Sequence, residues 1–85
     1  MKRSVRLLKA LGDETRFKIV LFLLNGRRSV SEITKQVKKA QPTISLHLKL
    51  LQLYGIVESH REGKFTVYSI KDGRIKKIVG ILKHG

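Results

Sequence analysis

Two helices and the turn between them are predicted within one stretch, residues 31–55, which reads SEITKQVKKAQPTISLHLKLLQLYG. Ser31 is a residue type that caps helices, and Ile33 and Val37 follow it at the spacing of one helical face. This first helix must end shortly before Pro42, because proline is suited to the first turn of a new helix. The stretch therefore begins with a short helix and a tight turn.

A longer helix is predicted over residues 41–54, and Gly55 ends it. Its core-facing stripe consists of Ile44, Leu48 and Leu51, and its opposite face is largely polar. Two helices joined by a turn of a few residues, the second with a polar outer face, are typical of a helix-turn-helix motif.

Two further helices are predicted before this motif. The first covers about residues 3–11 and ends at Gly12. Asp13 then offers an N-cap for a helix that is apolar over most of its circumference up to Asn25 and Gly26, which predicts a buried central helix. The apolar stripe of the first helix contains Val5, Leu7, Leu8 and Leu11.

The period of the pattern changes from helical to alternating after the motif. Residues 56–60 and 65–70 read as strands, joined by a glycine-containing turn at 61–64. Asp72 then caps a last helix, residues 72–83. The apolar stripe of that helix contains Ile75, Ile78, Val79 and Leu82.

We therefore predict one α+β, mainly helical domain over residues 1–85, a winged helix-turn-helix. Its order is two helices, a short extended segment at 29–30, two helices, two strands and a last helix. The hydrophobic fraction of 41% suits a folded domain, and the absence of cysteine excludes disulfides, zinc fingers and thiolate catalysis in this sequence.

The charge of the chain indicates a polyanionic partner. Lys and Arg number 19 against 6 Asp and Glu, a formal net charge of +13, and so much like charge opposes compaction. Nucleic acid and an anionic membrane surface both fit. The longest apolar run, residues 19–24, is far shorter than the ~20 residues that span a bilayer, and no signal-peptide pattern is present. We expect a cytoplasmic, DNA-associated protein and no membrane partner.

Four segments resemble the ArsR/SmtB family of winged-helix repressors. Residues 8–16, LKALGDETR, are similar to the segment that joins the family's first two helices, and residues 41–51, QPTISLHLKLL, resemble its recognition helix. Residues 54–57 and 61–64 match its helix end and its wing. Together these motifs imply a DNA-binding transcriptional regulator whose fourth helix enters the major groove.

The predicted recognition helix supplies most of the expected DNA contacts. A helix in the major groove must present short polar side chains and cations to base edges and phosphates. Gln41 is suited to hydrogen bonding with adenine, Ser45 can donate or accept a hydrogen bond, and Lys49 is suited to contacting a phosphate. The expected contacts on this helix are Gln41, Pro42, Thr43, Ser45, Leu46, His47 and Lys49.

Two of these positions have alternative interpretations. Leu46 stands where the family usually carries a polar or basic residue, so it either touches a thymine methyl or is a tolerated surface leucine. His47 either contacts a base or phosphate, or is a partly buried residue at the groove edge.

Basic residues outside this helix are expected to bind phosphates without reading sequence. In the wing these are Arg61 and Lys64, which flank Gly63. Near the helix-turn-helix they are Arg27, Arg28, Lys35, Lys38 and Lys39.

We expect the terminal helices to form a homodimer, because a small monomer can cover one of their stripes but hardly both. The expected interface residues are Val5, Leu8, Leu11, Ile75, Ile78, Val79 and Leu82. Two-fold symmetry would place two recognition helices about one helical turn of DNA apart, ~34 Å.

No metal or cofactor is expected, and the sequence indicates no other effector. Metal-sensing members of the family often carry a cysteine pair at the start of the third helix, where this chain has Ser29, Val30 and Ser31. A second family site lies on the last helix, where Asp72 and His84 are too far apart to chelate one ion.

The sequence thus predicts a sequence-specific transcriptional regulator, expected to be a repressor, that binds a palindromic operator as a homodimer. An enzyme is not predicted, since no nucleophile with an adjacent base, no paired carboxylates and no phosphate-binding glycine loop are found. The alternative is a basic protein that coats DNA without sequence preference, for which the charge alone would suffice.

Overall fold

The computed structural model describes residues 2–84, with the side chains described over residues 5–83. The predicted winged helix-turn-helix is confirmed in element order and in type. The helices are α1 (Lys2–Leu11), α2 (Glu14–Leu23), α3 (Val30–Val37), α4 (Gln41–Leu53) and α5 (Ile75–His84); the strands are β1 (Arg28–Ser29), β2 (Val57–Glu62) and β3 (Phe65–Ile70).

The three strands form one antiparallel sheet in the order β1-β3-β2. β2 and β3 make the wing hairpin, and Glu62 pairs with Phe65, so the loop consists of Gly63 and Lys64 alone. Gly63 has a φ of 62°, a conformation that glycine adopts without steric cost and that two-residue hairpin loops require. β2 therefore continues two residues beyond its predicted end at His60, because the turn is shorter than four residues.

The third helix begins earlier than predicted. Its N-cap is Ser29 and not Ser31: the Ser29 hydroxyl accepts the Glu32 N–H at 3.2 Å, and Glu32 Oε1 accepts the Ser29 N–H at 3.0 Å. A serine followed three residues later by glutamate satisfies two N–H groups reciprocally, whereas Ser31 is followed at that spacing by Thr34.

Asp13 caps the second helix as predicted, whereas Asp72 precedes the last helix by three residues and is not its N-cap. Asp13 Oδ1 accepts the Arg16 N–H at 2.9 Å, which confirms Asp13 as the cap of α2. The Asp72 side chain accepts the Arg74 N–H at 3.0 Å, and its carbonyl accepts the Ile75 N–H at 3.1 Å. α5 thus begins three residues after Asp72, because a turn precedes it.

The core gathers residues from all five helices and the sheet. α2 contributes Ile19, Val20 and Leu23, as expected of the central helix, and α4 contributes its predicted stripe of Ile44, Leu48 and Leu51. Full burial of each such side chain stabilises the fold by about 1.5–3 kcal/mol. The inner face of α4 therefore fixes this helix against the rest of the domain.

Three residues predicted for the dimer interface lie instead in this core. Leu11, Ile75 and Val79 are buried within the single chain, so they offer no surface to a partner. The expectation was wrong for them because the chain uses one side of each terminal helix to complete its own core. Val5, Leu8 and Leu82 stay exposed, and Ile78 is partly buried.

No helix within residues 2–84 is both long enough and apolar enough to cross a membrane.

Candidate nucleic-acid interface

The outward face of α4 carries most of the predicted contact residues. This helix is 13 residues long, and its inner stripe is fully buried. Leu46 projects from the opposite side and is 58% exposed. The other exposed predicted contacts on α4 are Gln41, Pro42, Thr43, Ser45 and Lys49. The structure therefore brings these six predicted residues together on one rigid surface.

The N-terminus of α4 has no side-chain cap, unlike those of α2 and α3. Its N-cap residue is Ala40, and Pro42 lies in the first turn. Backbone N–H groups of a first turn have no partner within their own helix and carry the positive end of the helix dipole. This end of α4 is therefore suited to an anion.

Two cations flank that terminus on the turn from α3. Lys38 and Lys39 are both exposed. Lys38 adopts a left-handed conformation with φ 61° and ψ 46°, which is strained for a residue with a Cβ. The turn therefore places a lysine where a glycine would fit with less strain.

A shallow depression beside the start of α4 extends this surface onto α3. It is lined by Ser31, Thr34, Lys35 and Gln41. The Thr34 hydroxyl donates to the Val30 carbonyl of its own helix at 2.8 Å, whereas Ser31 and Lys35 are exposed. Lys35 thus lies beside the start of α4, and its expected contact with a DNA phosphate stays a prediction.

The wing presents the predicted pair of cations, Arg61 and Lys64, both exposed. The acid between them, Glu62, forms an ion pair with Arg27 at 2.9 Å and lies 3.6 Å from His60 Nε2. Because Arg27 offsets this carboxylate, the hairpin tip keeps a positive surface.

His47 does not belong to the outward face. Its side chain is 16% exposed, and its Nδ1 lies 3.3 Å from Arg16 Nη1 and 4.0 Å from Asp13 Oδ1. Of the two interpretations of this residue, the structure supports the partly buried one. The expectation of a DNA contact is corrected, because the ring packs against the start of α2.

Arg28 is also placed differently from the prediction. Its guanidinium stacks over the Phe22 ring at 4.7 Å, and its Nε atom is buried without a hydrogen-bond partner among the described residues. The expectation of a connector cation that contacts phosphate is therefore corrected, because β1 directs this side chain onto α2.

Three residues of functional interest were missed. Phe65 is 58% exposed at the wing tip, and Ile81 is 71% exposed on α5. Ile81 follows Ile78 by three residues, a spacing that signals a second apolar flank on that helix. Arg16, which reaches both α1 and α4, gave no signal in the sequence beyond its place in the family motif.

The described residues do not suit a metal ion. No group of three His, Asp or Glu side chains converges anywhere in the described part of the chain, and the sequence has no cysteine. Both Asp72 carboxylate oxygens accept hydrogen bonds from the Arg74 guanidinium, at 3.0 and 2.6 Å. This contact raises the pKa of Arg74. The side chain of His84 lies outside the described residues.

Helix α4 has a buried inner face and a polar outer face flanked by cations, and a basic hairpin follows it. This arrangement defines a winged helix-turn-helix DNA-binding domain. The chain belongs to the arsR family of bacterial regulatory proteins, whose model matches residues 13–59, more than half of its length. This confirms the resemblance seen in the sequence.

Individual relatives agree with this assignment. The chain is 40% identical over 82 residues to the HTH-type transcriptional regulator MJ1325 of Methanocaldococcus jannaschii, covering 95% of this chain and 92% of the relative. The transcriptional repressor BigR from Xylella fastidiosa superposes with a TM-score of 0.90 at 33% identity, covering 95% and 83% of the two chains.

A homodimeric winged helix-turn-helix DNA-binding domain, Mb0332 from Mycobacterium bovis, superposes with a TM-score of 0.87 at 28% identity, covering 96% of this chain and 76% of that one. The protein is thus a DNA-binding transcriptional regulator of this family. The members of the family are regulators and not enzymes, which confirms that no catalytic function is to be expected.

Proposed function

We propose that this protein is a homodimeric, sequence-specific repressor that binds a palindromic operator through α4. The observation that carries the proposal is the exposed polar face of α4, which begins at a helix N-terminus without a side-chain cap and is flanked by Lys38 and Lys39. A basic protein that only coats DNA needs neither a rigid recognition surface nor a wing, and this favours the sequence-specific function over the alternative.

Base reading is assigned to the residues at the start and middle of α4. Gln41 is suited to the N6 and N7 atoms of adenine, and Ser45 donates or accepts at any base edge. Leu46, exposed between polar neighbours, is suited to a thymine methyl group. The residues assigned to phosphates are Lys35, Lys38, Lys39, Lys49, Arg61 and Lys64.

The wing adds an aromatic side chain to these contacts. Phe65 is exposed immediately after Lys64, at the first β3 residue beyond the two-residue loop. Cations at a hairpin tip gain from the negative potential of a narrow minor groove, and an apolar ring beside them can pack on the sugar edges. We assign Lys64 and Phe65 to the flank of the operator half-site.

The proposed dimer uses the apolar surface that the core leaves uncovered on α1 and α5. This surface consists of Val5, Leu8, Ile78, Ile81 and Leu82. Exposed apolar patches of this kind mark interfaces in soluble proteins. The homodimeric state of the Mb0332 domain supports a dimer here. A two-fold axis between the terminal helices would direct two α4 helices to successive turns of one duplex.

Selection of bound sequences from a random duplex pool tests the DNA-binding proposal. We expect one palindromic sequence to emerge, and Ser45→Ala or Gln41→Ala to weaken its binding by about 1–3 kcal/mol with little effect on random DNA. The matched control, Lys64→Ala, should weaken binding to the selected and to the random duplex equally. A pool without an enriched sequence would support the coating function instead. Transcription from a promoter that overlaps the selected site should fall when the protein is added, as expected of a repressor.

Sedimentation of charge-inserted variants tests the dimer. Ile81→Glu places a carboxylate in the proposed interface and should convert the dimer to monomers at micromolar concentration. Leu53→Glu is the matched control, because Leu53 is an exposed apolar residue of α4 outside that surface. A wild-type chain that sediments as a monomer would contradict the proposal.

We further propose that DNA binding does not respond to thiophilic metals, because the sequence supplies no thiolate ligand. One equivalent of zinc or cadmium should leave the affinity for the selected duplex unchanged. A large loss of affinity at that ratio would contradict this.

A further inference from the structure

The guanidinium of Arg16 closes the C-terminal end of α1. Its Nε donates to the Ala10 carbonyl at 2.8 Å, and its Nη2 donates to the Lys9 carbonyl at 3.4 Å. Carbonyls in the last turn of a helix have no partner within that helix, and a cation there also interacts favourably with the helix dipole. Although it belongs to α2, Arg16 therefore holds the end of α1.

The same guanidinium reaches the recognition helix. Arg16 Nη1 lies 3.3 Å from His47 Nδ1, on a ring that is mostly buried. A guanidinium only donates hydrogen bonds, so the two groups pair when Nδ1 accepts, which is the case in the tautomer with its proton on Nε2. One side chain thus joins the end of α1 to α4.

We infer that Arg16 is a positioning residue, which sets the orientation of α4 relative to α1 by donating both to the α1 carbonyls and to neutral His47. The inference rests on the proposed function, in which α1 belongs to the dimer interface and α4 reads the operator. Arg16 therefore affects how two recognition helices are spaced across the two-fold axis. Binding of a matched palindrome depends on that spacing, and binding of random DNA depends on it much less.

Binding to a selected and to a random duplex tests the inference. Arg16→Lys keeps the charge but cannot bridge α1 and α4, and it should weaken binding to the selected duplex about tenfold without changing binding to the random one. His47→Leu, which removes the acceptor, should weaken binding to the selected duplex by a similar factor, whereas His47→Asn keeps a neutral acceptor and should keep most of that affinity. His60→Leu is the matched control and should follow wild type.

A measurement without DNA separates the failure of this inference from that of the proposed function. Nitrogen NMR of the His47 ring should show the Nε2–H tautomer at pH 7.5, and a ring protonated on Nδ1 overturns the inference whether or not any operator is found. Equal preference for the selected duplex in wild type and a folded Arg16→Lys also overturns it. If Arg16→Lys unfolds, His47→Leu and His60→Leu decide, and equal affinities of these two variants for the selected duplex overturn the inference.

Discussion

The guanidinium carbon of Arg28 lies 4.7 Å from the centroid of the Phe22 ring, and this contact joins the short strand β1 to the central helix α2. We expect Arg28→Ala to lower the free energy of unfolding by about 1–2 kcal/mol, because a partly desolvated cation–π contact and the packing of the side-chain stem are lost together. Urea unfolding measures this effect.

Lys39→Ala is the control for that substitution, because Lys39 is exposed on the turn before α4. Its stability should change by less than about 0.5 kcal/mol, while its affinity for every duplex falls. The assignment of Arg28 would be contradicted if Arg28→Ala kept its stability and lowered the salt dependence of DNA binding as a phosphate contact does.

Asp13 makes the stability of the fold depend on pH in the acid range. The hydrogen bond from the Arg16 N–H, ahead of the nearby charges of His47 and Arg16, holds the pKa of Asp13 below its ordinary value of 3.8. Because the folded state favours the charged form, its contribution is complete above that ordinary pKa and is lost as the pH falls through the lowered one.

We therefore expect Asp13→Ala to cost about 1 kcal/mol at neutral pH, through loss of the α2 cap. Asp13→Asn keeps a cap that does not titrate. The difference in unfolding free energy between wild type and Asp13→Asn should shrink as the pH is lowered below about 4. Denaturation at a series of pH values checks this, and a difference that grows on acidification would reverse the sign of the argument.

Ala40→Ser should stabilise the fold and weaken DNA binding. A serine hydroxyl at the N-cap would accept an N–H of the first turn of α4 and raise the unfolding free energy by about 1 kcal/mol. The same hydroxyl would occupy an N–H at the helix end that is suited to an anion such as a DNA phosphate. Thermal unfolding and binding at one salt concentration measure both effects. Ala40→Gly, which adds no side-chain acceptor, is the control. Wild-type DNA affinity in Ala40→Ser would show that this helix terminus does not contact DNA.

Substitutions of Lys38 separate the effect of its backbone strain from the effect of its charge. Lys38→Gly should be about 1 kcal/mol more stable than wild type, because glycine adopts a φ of 61° without a Cβ clash, whereas Lys38→Ala should not be stabilised. Both variants lose one cation and should lower the slope of log affinity against log salt by about one. If the salt dependence is unchanged in both, Lys38 does not bind phosphate.

The order and type of the elements were predictable because the signals for them are local. The pattern of β3 predicted residues 65–70 and the structure has the same bounds, since alternation and a glycine turn require no distant contact. The inner face of α4 was predicted residue by residue from helical spacing. The start of α3 moved because Ser29, and not Ser31, captured the first N–H groups, and the start of α5 moved because a turn separates Asp72 from Ile75.

By itself, the amino-acid sequence determined the winged helix-turn-helix, its basic surface and the exposed residues of the recognition helix, because periodicity, turn chemistry and charge are properties of neighbouring residues. Tertiary structure alone decided that His47 faces Arg16, that Arg28 lies on Phe22, and that Ile75 is core while Ile81 is exposed. A stripe of apolar or basic residues shows only which side chains need a partner. Whether the chain's own core, a second copy or DNA provides it depends on contacts between elements far apart in sequence.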